Sequence, residues 1–326
     1  MSKYSATVDK AKYRSWASEQ AGLPLYMSDW WLDIVSDGAE WSAVIVQSDD
    51  GTVTGALPFV LKKYYGMSVI LPPLMTAYSG PWIGLPEDDR RTYIKTKMQR
   101  WEIQTALVSA LPHAALSIIQ TSTDIDDSLP FTWQGYRQSI RYTFLIEDIS
   151  DPQKCFEQFK GNIRTNIRKA ERQLKVISST DPDKLYDIHN KSFAHQEGHS
   201  PIPRSFLKKL YHAAAERQSA SIHLAVDDRE SVYAGVMVFS DEEKVYVLIS
   251  GVDRSLGNVG ALNLLYWHVI QIYAGRVQTL DFEGSMLEGV APVFLSFGAK
   301  IHPYFRLIKY KNKLIETVAT LSGKGV

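Results

Sequence analysis

The chain of 326 residues is long for one globular core and has room for two domains of ordinary size. Its 45% hydrophobic and 22% charged residues are ordinary for a globular protein and exclude wholesale disorder. The 36 basic and 36 acidic residues balance, so charge alone does not indicate a nucleic-acid-binding protein. A single cysteine, Cys155, excludes an internal disulfide and favours a reducing compartment.

The sequence shows no targeting or membrane-spanning pattern. Its first residues have no apolar run after a basic start, as a secretion signal would have. No apolar run approaches the ~20 residues that a membrane-spanning helix needs. We therefore expect a cytoplasmic protein without an integral membrane segment. Residues 1–150 carry 13 basic and 17 acidic residues, and the remainder carries 23 and 19, so an anionic ligand is expected in the second half.

The first half alternates helical and strand patterns. Ser28 can cap a helix that runs to Val35. Two apolar strands around the turn Asp49-Asp50-Gly51 predict a hairpin, and a long helix with acidic residues in its first turn follows. The predicted elements are a helix at 28–35, strands at 41–46 and 53–61, a helix at 88–111, and strands at 115–120 and 141–147.

The pattern restarts near Ser150-Asp151-Pro152, which predicts one domain over residues 1–149 and a second over residues 150–326. One apolar stripe at helical spacing marks the buried side of a helix at 260–273, formed by Leu262, Leu265, Val269 and Ile272. The other predicted elements of this half are helices at 151–173, 181–195, 203–217 and 287–295, and strands at 221–226, 232–239, 244–251, 279–282 and 301–309. The chain is therefore predicted to be an α/β (α+β) protein.

A glycine-containing turn, residues 251–260, lies between a predicted strand and a predicted helix. Backbone N–H groups at such a helix start bind phosphate or an oxyanion well, and Arg254 would add a charged donor. Gly257 and Gly260 resemble the acyl-CoA signature Arg/Gln-x-x-Gly-x-Gly/Ala, except that Gly260 falls one place late. The alternative is a connecting loop that needs flexible residues.

Two carboxylates end an otherwise apolar strand at Asp281-Phe282-Glu283-Gly284-Ser285. Side chains alternate along a strand, so Asp281 and Glu283 are predicted to share one face. Two close like charges raise the proton affinity of one of them, which suits a general base for an amine. The alternative is a sheet edge whose carboxylates hydrogen-bond the following turn.

Four basic residues recur every four positions on the predicted helix at 151–173: Lys160, Arg164, Arg168 and Arg172. Ile163 and Ile167 mark its buried side. Such a stripe either grips phosphates or is a solvated helix face.

Two polar or aromatic loops are further candidates for a substrate site. His195 and His199 lie in a loop between helices, at a spacing that matches no zinc pattern, so we predict a substrate-facing loop and no metal site. Tyr78 and Trp82 belong to a proline-rich aromatic loop that either lines a site or packs rigidly.

Taken in chain order, these stretches resemble the Fem-type (FemABX-like) peptidoglycan-bridge aminoacyltransferases and their GNAT-like acetyltransferase relatives. The resemblance covers about residues 155–310. It rests on five stretches: Asn162–Glu171, Leu262–Trp267, Asp281–Ser285, Phe297-Gly298-Ala299 and Pro303-Tyr304-Phe305.

The resemblance implies two tandem GNAT-like domains, the first degenerate, each with a mixed, mostly antiparallel sheet flanked by helices. The bridge enzymes move an amino acid from a charged tRNA onto an amine of a cell-wall precursor, whereas the acetyltransferase relatives use an acyl-CoA. No cofactor would be bound permanently, and acyl-CoA or aminoacyl-tRNA would serve as co-substrate. The implied partners are a small-molecule donor, an amine acceptor such as a cell-wall or polysaccharide precursor, and tRNA, but not DNA.

Carried onto this sequence, the resemblance suggests roles for individual residues. Glu283 would be the general base beside Asp281, and Tyr304 would donate a proton to the leaving group. The donor would be held by Arg254, Gly257, Gly260 and Asn263, with Arg164 and Arg168 attracting its phosphates. The substrate-facing residues would be Tyr78, Trp82, His195, His199 and Ser285.

One departure from the family pattern supports a second hypothesis. The bridge enzymes carry a lysine shortly before the Phe-Gly pair, but Val293–Gly298 contains no cation. This favours a catalytically silent GNAT-like module that binds a nucleotide-sugar or polysaccharide precursor. The pairing of Asp281 with Glu283 favours the enzyme.

Overall fold

The computed structural model describes residues 3–85, 92–194, 200–284 and 286–321. The chain divides into two compact units. Unit 1 comprises Met1–Arg141 and Pro303–Val326, and unit 2 comprises Tyr142–His302. This division differs from the predicted boundary at residue 150, because the C-terminal segment belongs to unit 1. The reason is strand pairing, since Arg306–Tyr310 pair antiparallel with Leu116–Gln120.

Unit 1 begins with strands and helices that alternate. In chain order these are β1 (Tyr4–Val8), α1 (Lys10–Glu19), α2 (Asp29–Val35), β2 (Glu40–Ser48), β3 (Val53–Tyr64), β4 (Met67–Leu71), β5 (Trp82–Ile83), α3 (Tyr93–Ser109), β6 (Leu116–Gln120), α4 (Leu129–Trp133) and the first part of β7 (Arg137–Ile146).

Unit 2 takes up the rest of β7 and ends within the last strand, from which the chain returns to unit 1. The further elements are α5 (Pro152–Gln158), α6 (Gly161–Glu171), β8 (Lys175–Ser179), α7 (Pro182–Ala194), α8 (Arg204–Ala215), β9 (Ala220–Val226), β10 (Val232–Ser240), β11 (Lys244–Val252), α9 (Ala261–Tyr273), β12 (Thr279–Asp281), α10 (Ala291–Ser296), β13 (Lys300–Tyr310) and α11 (Lys313–Leu321).

Each unit contains a mostly antiparallel sheet. In unit 1 the strand order is β1-β2-β3-β4-β6-β13, with β5 beside β3, and β4–β6 is a parallel pair. In unit 2 the order is β7-β12-β11-β10-β9-β8, and β11–β12 is a parallel pair. Parallel neighbours need a crossover connection, which contains α3 in unit 1 and α9 in unit 2. The predicted fold class, a mixed and mostly antiparallel sheet with flanking helices, is confirmed.

Most elements lie where the sequence predicts them, and the hairpin around Gly51 forms with a φ of 86° at the glycine. The predicted helix at 151–173 is instead two helices, because the chain turns at Phe159, whose ring is buried. The predicted helix at 287–295 begins only at Ala291, where Pro292 fits the first turn. Ser28 precedes α2, but its side chain makes no capping hydrogen bond. The sequence analysis predicted neither the helices α1, α4 and α11 nor the strands β1, β4, β5 and β8.

The unit 2 sheet is covered on both faces. On one face α6 and α9 pack in a core that includes Ile163, Ile167 and Leu265. On the other, α7 crosses so closely over the sheet that a Cβ on Gly235 would lie 2.7 Å from Leu185, and one on Gly251 would lie 2.6 Å from the backbone of His189. The glycines therefore set how near α7 approaches.

In the described ranges, no helix is long and apolar enough to cross a membrane.

Unit 2 contains a pair of neighbouring histidines, of which His223 is buried and His268 half-buried. The ring of His223 is 4.9 Å from that of His268, and its Nε2 is 2.9 Å from Ser221 Oγ. Burial, and secondly the charge of His268, lower the pKa of His223 to about 4. Burial also lowers the pKa of His268.

We expect the free energy of unfolding to fall as the pH drops from about 6.5 to about 4. The folded-state pKa of His223 lies below the ~6.5 of an unfolded histidine, so the unfolded chain binds more protons in this window. The loss from His223 should reach about 3 kcal/mol below pH 4. Denaturant unfolding across this range should show a flatter slope for His223→Gln. The exposed His113→Gln should keep the wild-type slope, and an unchanged slope in His223→Gln would contradict the assignment.

Candidate functional site

The end of β12 is organised by the carboxyl group of Asp281, which is fully buried. Its Oδ1 accepts a hydrogen bond from Thr143 Oγ1 at 2.5 Å and another from the backbone N–H of Glu283 at 2.8 Å. A buried carboxyl group is costly unless its oxygens are bonded in this way. Asp281 is therefore a fixed acceptor at the base of the site.

Glu283 does not continue the strand. Strand β12 ends at Asp281, and the backbone of Glu283 is left-handed with φ of 63°. The alternation of side chains along the strand, which predicted that Asp281 and Glu283 share one face, therefore stops before Glu283. A non-glycine residue in this conformation stores strain that its surroundings must compensate, and such residues cluster at functional sites. The hydrogen bond from its N–H to Asp281 holds this turn, which leaves the Glu283 side chain half-buried.

Tyr246, which the sequence analysis did not single out, belongs to the same cluster. It lies opposite Asp281 in the β11–β12 pair and donates a hydrogen bond to Asp241 Oδ2 at 2.8 Å. Burial raises its pKa well above the usual value, and the charges of Asp241, Asp281 and Glu283 raise it further. The carboxylate of Glu283 therefore lies within electrostatic range of a buried neutral phenol. In the sequence, the apolar run Val245-Tyr246-Val247 indicates a core strand. Only the strand register shows that Tyr246 lies beside Asp281.

The parallel pair of β11 and β12 is short. Among the described residues, β12 pairs with Lys244–Tyr246 only, although β11 continues to Val252. A β-bulge at Leu248 follows, since Val247 and Ile249 pair with the adjacent residues Val238 and Met237 of β10. Bulges bend the strand that carries them. We call the region between the later part of β11 (Val247–Val252) and Phe282–Glu283 the β11–β12 wedge.

Side chains from two helices border this wedge. From α7, His189 Nδ1 lies 2.8 Å from the carbonyl oxygen of Ser250, and Ser192 Oγ accepts from the N–H of Val252 at 2.8 Å. From α9, Tyr266 packs edge-on against Phe282, with ring centroids 5.2 Å apart. The pKa of Tyr266 is raised to about 12, because the increase caused by burial exceeds the decrease caused by a hydrogen bond with Ser250. These contacts fix the backbone of β11 beyond the bulge.

The loop after β11 leads into the N-terminus of α9. Asp253 accepts hydrogen bonds from the N–H of Ser255 at 3.0 Å and from Lys191 Nζ at 2.5 Å, which fixes the start of the loop. Arg254 is exposed. Gly257 and Gly260 have φ of 86° and 84°, and no side chain caps the helix at Gly260. The first N–H groups of a helix lack partners within it and favour an anion.

Helix α6 packs directly against this helix start. A Cβ on Gly260 would lie only 2.6 Å from the carbonyl oxygen of Asn166. Ile163 and Ile167 of α6 are buried, as predicted. Arg164 is half-buried, and its Nη1 donates to the carbonyl oxygen of Glu157 at 3.4 Å. Exposed Arg168 lies over the ring of Phe156 at 5.5 Å. The structure thus brings the helix that carries the basic stripe and the glycine loop together.

Two further features of the sequence analysis are Asn263 and the stretch Val293–Gly298. Asn263 is half-buried in the first turn of α9. The stretch Val293–Gly298 has no cation of its own, but the backbone N–H of Lys160 donates to the carbonyl oxygen of Ser296 at 2.8 Å. A lysine from the start of α6 therefore lies beside the stretch where the sequence lacks one.

The other predicted site residues lie elsewhere. Tyr78 and Tyr304 are buried in unit 1, with ring centroids 5.7 Å apart, and Trp82 packs against Trp16 at 4.9 Å. The aromatic loop is thus at least partly a packing element, as its alternative interpretation held. His195, His199 and Ser285 lie outside the described residues. Within the described ranges, no group of three His, Cys, Asp or Glu residues is placed to hold a metal ion.

Comparison with known families identifies the domain that carries the wedge. Residues 157–289 match the model of the acetyltransferase (GNAT) domain. The matched residues contain α6, the β11–β12 wedge, the loop at Gly260 and Glu283. No curated protein matches the sequence.

Solved structures share the fold across most of the chain. The structure of FemX is 13% identical with a TM-score of 0.64, over 94% of this chain and 97% of that chain. The structure of L-PGS from Bacillus licheniformis is 12% identical with a TM-score of 0.54, over 97% and 96%. The C-terminal domain of a putative lysylphosphatidylglycerol synthetase from Agrobacterium fabrum is 10% identical with a TM-score of 0.53, over 97% of both chains. The predicted resemblance to Fem-type and GNAT proteins is confirmed at the level of fold.

We expect Gly260→Ala to destabilise the protein by more than Gly275→Ala. Both glycines have positive φ, which costs an alanine about 1–2 kcal/mol, but only at Gly260 would the added Cβ meet a backbone oxygen. Denaturant unfolding should separate the two variants by at least about 1 kcal/mol. Equal losses would show that α6 and α9 can move apart at little cost.

Proposed function

We propose that the protein is an N-acyltransferase that joins an activated acyl or aminoacyl group to an amine. The observation that carries the proposal is the arrangement around α9 in the residues that match the GNAT domain. The exposed Arg254 and an uncapped helix N-terminus at Gly260 follow the wedge strand β11, and the helix of the basic stripe packs against that N-terminus. This combination suits a donor with phosphate groups and a reactive carbonyl.

The donor side favours an acyl-CoA. Its phosphates would bind to the first N–H groups of α9 and to Arg254, where the helix dipole and a guanidinium both attract negative charge. Asn263 lies in the first turn of the same helix, and Arg164 and Arg168 project from the helix packed against it. The acyl arm would extend into the β11–β12 wedge toward Glu283.

An aminoacyl-tRNA is the second candidate donor. Lys160 and Arg168 are exposed and Arg164 is half-buried, and together they form a basic surface that a nucleic-acid backbone could also contact. The shared fold with FemX and L-PGS is compatible with this donor but does not select it. Both donors present an activated carbonyl and phosphates, so the same residues serve either one.

The chemistry assigned to the site is simple acyl transfer. The amine nitrogen forms a bond to the acyl carbonyl carbon while Glu283, directly or through a water, accepts the proton of the amine. The bond from that carbon to the thiol sulfur or ester oxygen breaks, and the proton held by Glu283 returns to the leaving group. Holding amine and carbonyl in contact is worth up to ~7–11 kcal/mol, so positioning supplies most of the rate.

Glu283→Gln should lower kcat by about 10²–10⁴-fold, because an amide cannot accept the proton of the amine. The measurement is release of coenzyme A, or loss of the aminoacyl ester, with a panel of amines. Glu288→Gln, an exposed carboxylate five residues later, is the matched control and should keep wild-type turnover. Wild-type turnover in Glu283→Gln would remove Glu283 from this role.

Acetyl-CoA at ~100 times its dissociation constant should stabilise the folded protein by ~2.7 kcal/mol, read as a rise in the unfolding temperature. Arg254→Gln should reduce this rise at a fixed ligand concentration, because a charged donor to phosphate is lost. Arg276→Gln removes an exposed arginine just after the opposite end of α9 and should leave the rise unchanged. A rise with aminoacyl-tRNA but not with acetyl-CoA would select the second donor. The absence of a rise with acetyl-CoA, with aminoacyl-tRNA and with nucleotide-sugar precursors would contradict the enzyme.

A further inference from the structure

One end of the unit 1 sheet exposes tyrosines, aliphatic side chains and lysines together. The tip of the β3–β4 hairpin carries Tyr65, which is 100% exposed, and the less exposed Tyr64 and Met67. Helix α11 carries Leu314, Val318 and Leu321, which are 71%, 55% and 83% exposed. Exposed apolar residues in one region mark an interaction site more often than scattered ones do.

Backbone hydrogen bonds place the hairpin tip and the start of α11 at the same end of the sheet. The N–H of Ala115 donates to the carbonyl oxygen of Ser68 at 2.8 Å, and the N–H of Lys311 donates to the carbonyl oxygen of Ala115 at 2.9 Å. Ser68 follows the hairpin tip directly, and Lys311 precedes α11 by two residues. These residues lie on three neighbouring strands, so about 10 Å separates the two features.

Helix α11 has two distinct sides. Ile315 packs against the cluster formed by Val69, Leu116 and Ile308, and Ala319 is also buried. Leu314, Val318 and Leu321 are spaced four and three residues apart, so they form one stripe on the exposed side. A simple surface helix exposes polar side chains, whereas this nine-residue helix exposes an apolar stripe to solvent.

Most of the charges around these apolar residues are positive. Lys63, Lys311 and Lys313 are exposed, and within the described part of the chain none of them forms an ion pair. Glu316 of α11 is bonded by Arg137. Asp37 and Glu40 line a groove together with Lys62, Lys63 and Tyr64, so two carboxylates adjoin the hairpin side of this region, while Lys311 and Lys313 add positive charge beside α11.

We propose that these residues bind the surface of an anionic lipid bilayer. The tyrosine–lysine surface comprises Lys63, Tyr64, Tyr65, Met67, Lys311, Lys313, Leu314, Val318 and Leu321. Tyrosine is favoured at membrane interfaces, aliphatic side chains enter the acyl boundary, and lysines attract anionic headgroups. A protein partner fits less well, because lysine is depleted at the centres of protein interfaces. The proposal is independent of the acyl-transfer reaction.

The test is co-sedimentation of the full chain with vesicles of phosphatidylcholine alone or mixed with phosphatidylglycerol. The wild type should bind the mixed vesicles, and binding should weaken with added salt. The double variant Lys313→Gln, Leu314→Ser should bind at least about tenfold more weakly, and Tyr65→Ser should also weaken binding. All three substitutions are at exposed positions, so the unfolding temperature should not change.

The matched control is the double variant Ile94→Ser, Lys95→Gln, which removes an exposed aliphatic residue and a lysine at the start of α3. The start of α3 lies about 25 Å along the helix from its end near β6, so it belongs to another part of unit 1. The control should bind as the wild type does. The proposal would be overturned if the wild type did not bind the mixed vesicles or bound neutral vesicles equally well. It would also be overturned if both double variants bound equally weakly. A change of oligomeric state in the Lys313, Leu314 variant without loss of vesicle binding would assign the surface to protein contact instead.

Discussion

The carboxyl group of Asp281 is the constraint on which the rest of the candidate site depends. It is fully buried, and its burial is compensated by the hydroxyl of Thr143 and the backbone N–H of Glu283. The first bond ties β12 to β7, and the second turns the chain out of the strand at Glu283. Asp281 therefore decides where the proposed base is located, although the structure gives it no direct role as a base.

The short parallel pair of β11 and β12 follows from the same arrangement. Because β12 ends at Asp281, β11 continues past it toward the glycine loop, and the bulge at Leu248 bends its course. Side chains of α7 and α9 bond to or pack beside the later part of β11, while the close contact of α6 with Gly260 fixes the start of α9. The groups proposed to bind the donor thus depend on two helices beside one strand and on a third helix packed against α9.

The two units share one topological feature without sharing a visible sequence repeat. Each sheet has a single parallel pair among its described strands, joined through a connection that contains one helix. The fold is shared with FemX over most of the chain. The buried aromatic cluster around Tyr78 and Tyr304 stabilises unit 1, whereas the polar cluster around Asp281 organises unit 2.

Local sequence patterns determined much of this fold. Turn chemistry at Gly51, apolar spacing in α6 and α9, and the glycine loop before α9 were sufficient to predict those elements and the fold class, because periodicity and turn preferences act within a few residues. The proposed base, Glu283, and the donor loop with Arg254 were also visible as motifs.

Only the tertiary structure decided which distant residues meet. Strand register places Tyr246 opposite Asp281, helix packing brings Asn166 against Gly260, and a backbone hydrogen bond sets Lys160 beside Ser296. The C-terminal strand joins unit 1 through pairing with β6, which no local pattern encodes. Such contacts depend on the register and crossing of elements far apart in the chain. The sequence by itself therefore determined the elements and the candidate chemistry, and the packing decided their arrangement.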